Sequence, residues 1–137
     1  MAGRDDIEAR VRSIYDIRKK GNLDGVMATF TSDARFRMAG HPELAPMTAL
    51  VQGAAQLREL MQQFIAVWDW QDYHIQRVLV DGDRAAVYSR GTMYFGPKRV
   101  PIDTETFDLL TLKDGKIADF VQFCDTHMAA KAMATAA

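Results

Sequence analysis

The chain opens with an amphipathic helix: Ile7, Val11, Ile14 and Tyr15 recur at three- and four-residue spacing, and Arg18 follows in phase. Asp5 with Glu8 predicts a capping box. Arg18, Lys19 and Lys20 suit the negative end of the helix, and Gly21 ends it. Asn22 starts a short second helix with apolar positions at Leu23, Val26, Met27 and Phe30. Ala34, Phe36 and Met38 then alternate with Arg35 and Arg37, which predicts a strand. From Gly40 to Gln52 prolines and a glycine break every period and predict a loop. A third helix runs from about Gly53 to Trp68, with Leu57, Leu60, Met61, Phe64 and Trp68 on one face.

Strands dominate afterwards. Tyr73 and Ile75 share one parity and Val78 and Val80 the other, which predicts a bulge between them. Asp81-Gly82, Gly96-Pro97 and Asp114-Gly115 mark turns. They delimit strands from Arg84 to Phe95, Val100 to Lys113 and Lys116 to Asp125. The Ala- and Met-rich tail after Thr126 predicts a frayed helix. Helices followed by hairpin-linked strands predict an α+β fold: a cone-shaped, curled antiparallel sheet covered by three N-terminal helices, with space for a pocket. No repeat or linker divides the chain, so residues 1–137 read as one domain.

Composition narrows the function. The 137 residues carry 17 Lys plus Arg against 18 Asp plus Glu, a formal net charge of -1, which gives no field for nucleic acid or an anionic membrane. The single cysteine, Cys124, makes neither an internal disulfide nor a metal cluster. With no apolar signal core in MAGRDDIEAR and no apolar run longer than Phe64 to Trp68, a reduced, cytoplasmic protein is expected. G-x-G-x-x-G, G-K-[ST], G-x-S-x-G and H-E-x-x-H are all missing, and no cofactor or metal is expected.

The runs YDIRKKGNLDGVMATFTSDARFRMAG, VDGDRAAVYSR and FDLLTLKDGKIADFVQFCDT together resemble the nuclear transport factor 2-like superfamily, and within it the SnoaL-like polyketide cyclases and ketosteroid-isomerase-related proteins. The resemblance covers nearly the whole chain. It implies the cone fold, but the superfamily holds isomerases, dehydratases, cyclases, epoxide hydrolases and non-catalytic binding modules. By distance from Gly21, the helix tyrosine of the steroid isomerases falls on Ile14, with Tyr15 one step round the helix, and their base falls on Met38. By distance from Gly115, their second acid falls on Phe107. The resemblance therefore implies that this apparatus is missing. The SnoaL-like cyclases place their base near the end of the last strand, where Asp125 stands at the matching distance from the D-G-K turn.

Strand parity gives an independent candidate. Glu105 shares a face with Phe107 and Leu109, while Thr104, Thr106 and Asp108 point the other way. A carboxylate on an apolar face needs a partner or has a raised pKa. A turn centred between Pro97 and Lys98 sets Arg90 opposite Glu105, and Tyr88, Thr92 and Tyr94 on the same face. A turn centred on Asp114-Gly115 sets Cys124 opposite Glu105 and Gln122 beside Phe107. The expected pocket wall is Tyr88, Arg90, Glu105, Phe107, Phe120 and Gln122. Glu105 and Asp125 are the catalytic candidates. Arg90 with Glu105 reads equally as an ion pair fixing hairpin register, and Asp125 as a strand-end cap onto the backbone near Thr126 and His127.

Tyr15, Phe30, His41 and Trp68 complete the candidate ligand-binding set. His41 sits in a loop able to overhang the pocket, although a plain loop histidine fits as well. Phe30, Phe64, Trp68, Trp70, Met27, Met38 and Met61 are core residues at their spacing, some of which line a pocket if the cone leaves space. His74 reads as solvent-facing, His127 as exposed, and Cys124 as a small buried residue rather than a nucleophile. The long strands carry apolar residues on both parities, so the outer sheet face predicts a homodimer. Two functional readings remain. One is a cofactor-independent isomerase, lyase or cyclase acting on a small apolar carbonyl compound by carboxylate general acid–base catalysis. The other is a non-catalytic module of the same fold that binds a small ligand or dimerises.

Overall fold

The computed structural model describes residues 3–136, with side chains to 134. Helix α1 (Arg4–Lys20) buries Ile7, Val11 and Ile14 and ends at Gly21, whose φ of 71° is the left-handed cap that glycine accepts at little cost. Its start differs from the expected box. Gly3 is the N-cap, and its N–H donates to Asp6 Oδ2 at 3.4 Å, because the helix begins at Arg4 and puts Asp6 rather than Glu8 at the third position. Asn22 caps α2 (Leu23–Met27) by accepting from the Gly25 N–H at 3.2 Å. Phe30 belongs not to that helix but to β1 (Phe30–Met38), where it is buried in the core.

A 3-10 turn (Pro42–Leu44) and the two-residue β2 (Val51–Gln52) occupy the expected loop. Helix α3 (Ala54–Val67) then buries Leu57 and Met61. Trp68 opens β3 (Trp68–Asp81), which turns at 82–83 into β4 (Arg84–Phe95). β5 (Val100–Lys113) and β6 (Lys116–Phe123) complete the meander, and the tail is helix α4 (Thr126–Ala136). The sheet order is β2-β1-β6-β5-β4-β3. One pair departs from the antiparallel expectation: β1 and β6 run parallel, Phe36 beside Phe120 and Met38 beside Gln122. The six strands form a curved sheet whose two edges do not meet. The core, from Val11 and Ile14 through Phe36 and Leu57 to Leu110 and Phe120, lies between its concave face and the helices.

Two irregularities set the curvature. β3 shifts register between Asp69 and Asp72 and again between Ile75 and Arg77, the second where the change of apolar parity predicts it. Opposite the first, Gly91 has φ 148°, and a Cβ there would collide with the Asp72 carbonyl oxygen and the Tyr73 backbone. Only glycine lets β3 approach this closely. The approach turns Tyr73 inward, where it is 5% exposed. Among the described residues no helix is long and apolar enough to cross a membrane.

Candidate active site

On β5 the concave face carries Ile102, Thr106, Asp108, Leu110 and Leu112, all buried, while Glu105, Phe107 and Leu109 are exposed. Both parities are apolar, so hydrophobicity alone does not say which faces the helices. The buried carboxylate is Asp108, 1% exposed. It lines a cavity of about 280 Å³ with Tyr15, Arg18, Trp70, Tyr73, Ser89, Thr106 and Gln122, and α1 residues Arg12, Asp16 and Lys19 form the rim with His74.

Three elements converge on Asp108. From α1, the Tyr15 hydroxyl donates to Asp108 Oδ2 at 2.6 Å. From β6, Gln122 stands directly across the strand pair, itself buried. It favours the charged form of Asp108, yet no donor completes a hydrogen bond to Oδ1, which is buried and has no partner among the described residues. From β3, the Tyr73 hydroxyl donates to the Ser89 carbonyl at 3.1 Å and lies 2.8 Å from Thr106 Oγ1, which donates to it in return. Ser89 Oγ is likewise a buried side-chain atom without a hydrogen-bond partner among the described residues.

Burial pushes the Asp108 carboxyl up to about 6, against the Tyr15 hydrogen bond, the charge of Arg18 and Gln122, which pull it down. Burial, and then the charge of Asp108, hold the Tyr15 phenol well above its ordinary value, so the shared proton stays on Tyr15. A carboxylate that titrates near neutrality with one unoccupied oxygen can take a proton from a ligand and return it.

A second recess adjoins the cavity, sharing Trp70, Thr106 and Gln122. It is apolar, lined by Met38, Phe64, Trp68, Met93 and Ile102, with Asp125 at its edge. Trp68 packs on Phe95 at 4.6 Å between centroids and on Trp70 at 6.1 Å.

The expected wall is corrected in four members. Arg90 does stand opposite Glu105, as the hairpin arithmetic predicts, but Tyr88, Arg90, Glu105 and Phe107 all lie on the convex face. There the Tyr88 hydroxyl donates to Glu105 Oε2 at 2.8 Å, in contact with solvent. Phe120 and Gln122 do face inward, because the β5–β6 register shifts at Thr111/Leu112. That shift places Gln122 opposite Asp108 instead of Phe107 and Phe123 opposite Phe107, so Cys124 is not paired with Glu105. Phe120 is fully buried beside Phe36, and Phe30 lies in the core without lining the cavity.

The remaining candidates divide. Tyr15 reaches the cavity and Trp68 the recess. His41 reaches neither, since its ring caps the 3-10 turn, Nδ1 accepting from the Glu43 N–H at 3.1 Å. Asp125 caps α4, Oδ1 accepting from the Met128 N–H at 3.1 Å, while still touching the recess. Burial pushes the Cys124 thiol up to about 11, which keeps it protonated at neutral pH. The helix tyrosine and second acid, expected missing at Ile14 and Phe107, have inward-facing counterparts one residue on, Tyr15 and Asp108. The base position at Met38 holds no acid. Ser89 and Asp108 escape sequence reading because inward parity on β4 and β5 is fixed only by the packing of α1, Tyr73 because the β3 register shift turns it inward, and Arg18 because it reads as part of the basic last turn of the helix.

A family model for a SnoaL-like domain matches residues 11–120. Comparison with curated proteins gives no match. Several solved structures are similar. An NTF2-like protein from Burkholderia xenovorans LB400 has a TM-score of 0.72 at 17% identity, covering 92% of this chain and 94% of its own. An LEH-like epoxide hydrolase of M. tuberculosis gives 0.71 at 15%, with 93% and 89% covered. The epoxide hydrolase/cyclase-like enzyme SalBIII, which acts in pyran ring formation in salinomycin, gives 0.75 at 20%, with 93% and 96% covered. At such identities the likeness is one of fold. With the family model spanning most of its length, the chain belongs to the SnoaL-like domain family, of the nuclear transport factor 2-like fold.

Proposed function

We propose that the protein is a cofactor-independent isomerase, lyase or cyclase in which Asp108 moves a proton on a small carbonyl compound. The observation that carries this reading is a buried carboxylate, raised to about 6, with one oxygen unpartnered at a 280 Å³ cavity. In the proposed step Asp108 Oδ1 removes the proton from the carbon next to a carbonyl. The C–H electron pair forms the enolate C=C bond, and charge moves to the carbonyl oxygen. Ser89 Oγ, without a partner, and the Gln122 amide line the same cavity and are neutral donors that can receive it. Protonated Asp108 then returns the proton to another carbon, or to a leaving or attacked group. Tyr15 holds the carboxylate in place. The epoxide hydrolase and the epoxide hydrolase/cyclase-like enzyme of similar fold support chemistry in a cone of this kind without naming the substrate.

Deuterium exchange tests this reading. A panel of small ketones and aldehydes in D2O, followed by proton NMR, should show enzyme-dependent loss of α-proton signal for at least one member. Asp108→Asn should slow that exchange ~10²–10⁴-fold, the usual contribution of one placed acid–base group. No exchange on any member would leave the non-catalytic binding module in front.

A homodimer through the convex sheet face accompanies this reading. Leu79, Ala86 and Leu109 form one cross-strand row, and Tyr88, Phe107 and Phe123 the next, with Leu79, Phe107, Leu109 and Phe123 each 41–51% exposed. A continuous apolar surface of this kind favours a second copy.

A further inference from the structure

Arg18 stands on the last turn of α1, half-buried. Its guanidinium carbon lies 5.4 Å from the ring centres of Trp70 and Phe120 and 6.0 Å from that of Tyr15. Phe120 is fully buried, so the charge leans toward the interior of the cone. Other arginines find acceptors at the surface: Arg12 pairs with Glu8, Arg58 with Asp24 and Arg99 with Asp69, while Arg10 donates to the Gly115 carbonyl. The Arg18 side chain makes no ion pair and no hydrogen bond among the described residues.

Ring faces attract the charge but accept none of the five N–H donors in plane. If Arg18 only packed the helix against the sheet, a methionine would do as well without bringing a charge and five N–H donors to the cavity. Asp108 lines the same cavity, and Arg18 lowers its carboxyl relative to burial alone, yet the two do not touch. Opposite charges that line one cavity without contact leave room for a ligand between them.

We propose that Arg18 is the anion subsite of this cavity and that its ligand is a small carbonyl compound bearing a carboxylate. The proposal rests on the reading of the cavity as a substrate site. The guanidinium fork matches a carboxylate in two parallel hydrogen bonds, and Lys19 on the rim adds positive charge. Asp16 on the rim and Asp108 repel an anion, which orients the ligand: its carboxylate lies at Arg18 and its uncharged, reacting end at Asp108. An apolar substituent extends past Trp70 into the recess of Phe64, Met93 and Ile102.

Calorimetric titration of the full chain with 1-naphthoate and with its neutral isostere 1-naphthamide tests this at pH 8. The carboxylate should bind about tenfold tighter or more. Arg18→Gln should remove that preference while amide binding persists, which also reports that the variant is folded. Arg18→Lys should keep part of it. Equal affinities in the unmodified protein, a preference that survives Arg18→Gln, or no binding of either probe at millimolar concentration would overturn the proposal. A carboxylate preference without α-proton exchange keeps the anion subsite and removes the proton-transfer reading. Exchange on neutral ketones without a carboxylate preference does the reverse.

Discussion

The Tyr15 hydroxyl reaches Asp108 Oδ2 at 2.6 Å across 93 positions of the chain, joining the first helix to β5. The bond does two things. It satisfies one oxygen of a carboxylate that burial disfavours, and it leaves the other oxygen without a partner. Tyr15→Phe removes the donor without changing the shape of the ring. A hydrogen bond to a charged group is worth about 1.5–3 kcal/mol, so the acid limb of the rate or binding profile should move up by about one to two pH units. A carboxyl-carbon NMR titration of Asp108 reads the same displacement without a substrate. An unchanged titration would mean that Tyr15 does not hold the charge.

Asp108 should make the protein less stable at neutral pH than it is in mild acid. Its carboxyl titrates near 6 in the folded chain and near 3.9 when unfolded. Below the unfolded value both states are protonated and nothing is lost. As pH rises from about 4 to 6, the unfolded chain releases the proton first, so stability falls. Above the folded value the loss is complete, about 3 kcal/mol. Asp108→Asn cannot ionise. It should raise the melting temperature by several degrees at pH 7.5, with the gain shrinking to little at pH 4, while the proposed proton transfer is lost. Thermal melts of both proteins across pH 4–8 give the answer, and a pH-independent difference would contradict the assigned titration.

Much of this arrangement is legible in the sequence, and the failure is local. Helical spacing finds α1 and α3, dipeptide turns find every hairpin, and the turn at Pro97-Lys98 sets Arg90 opposite Glu105 as the structure has it. Which face of β5 is inside is not legible, because Phe107 and Leu109 on one parity look as apolar as Leu110 and Leu112 on the other. The decision is made at long range, by Val11, Ile14 and Tyr15 packing over one face. One shift at Thr111/Leu112 then moves Gln122 from Phe107 to Asp108. Counting from Gly21 and Gly115 lands on Ile14 and Phe107, each one residue short of the inward side chain, since a count cannot register which way a side chain points.

Glu105 provides the contrast to Asp108 on the same strand. It is exposed, and its partner is the solvent-facing Tyr88 hydroxyl, which that bond and Glu105's charge hold protonated. Pairs of this exposure contribute little. Glu105→Gln should leave α-proton exchange, and any turnover found, within about twofold of the unmodified protein, where Asp108→Asn costs ~10²–10⁴-fold. A loss of that larger size in Glu105→Gln would return the chemistry to the convex face.

The convex face yields the last expectation. The rows Leu79–Ala86–Leu109 and Tyr88–Phe107–Phe123 are adjacent in register, so their side chains form a single patch across β3 to β6. Charged groups interrupt it only at the margins, with Arg77 beside Tyr88 on one side and Arg90 with Glu105 at one end. A second copy would cover it by two-fold symmetry, each patch meeting itself. Leu109→Lys combined with Phe107→Lys places four like charges at the centre of such an interface and replaces no residue that lines the cavity. Light scattering at micromolar concentration should give twice the chain mass for the unmodified protein and the chain mass for the double variant. Naphthoate binding at Arg18 should be unchanged, because the two faces of the sheet are separated by the strands themselves. A monomeric mass for the unmodified protein would remove the dimer and leave the patch uncovered.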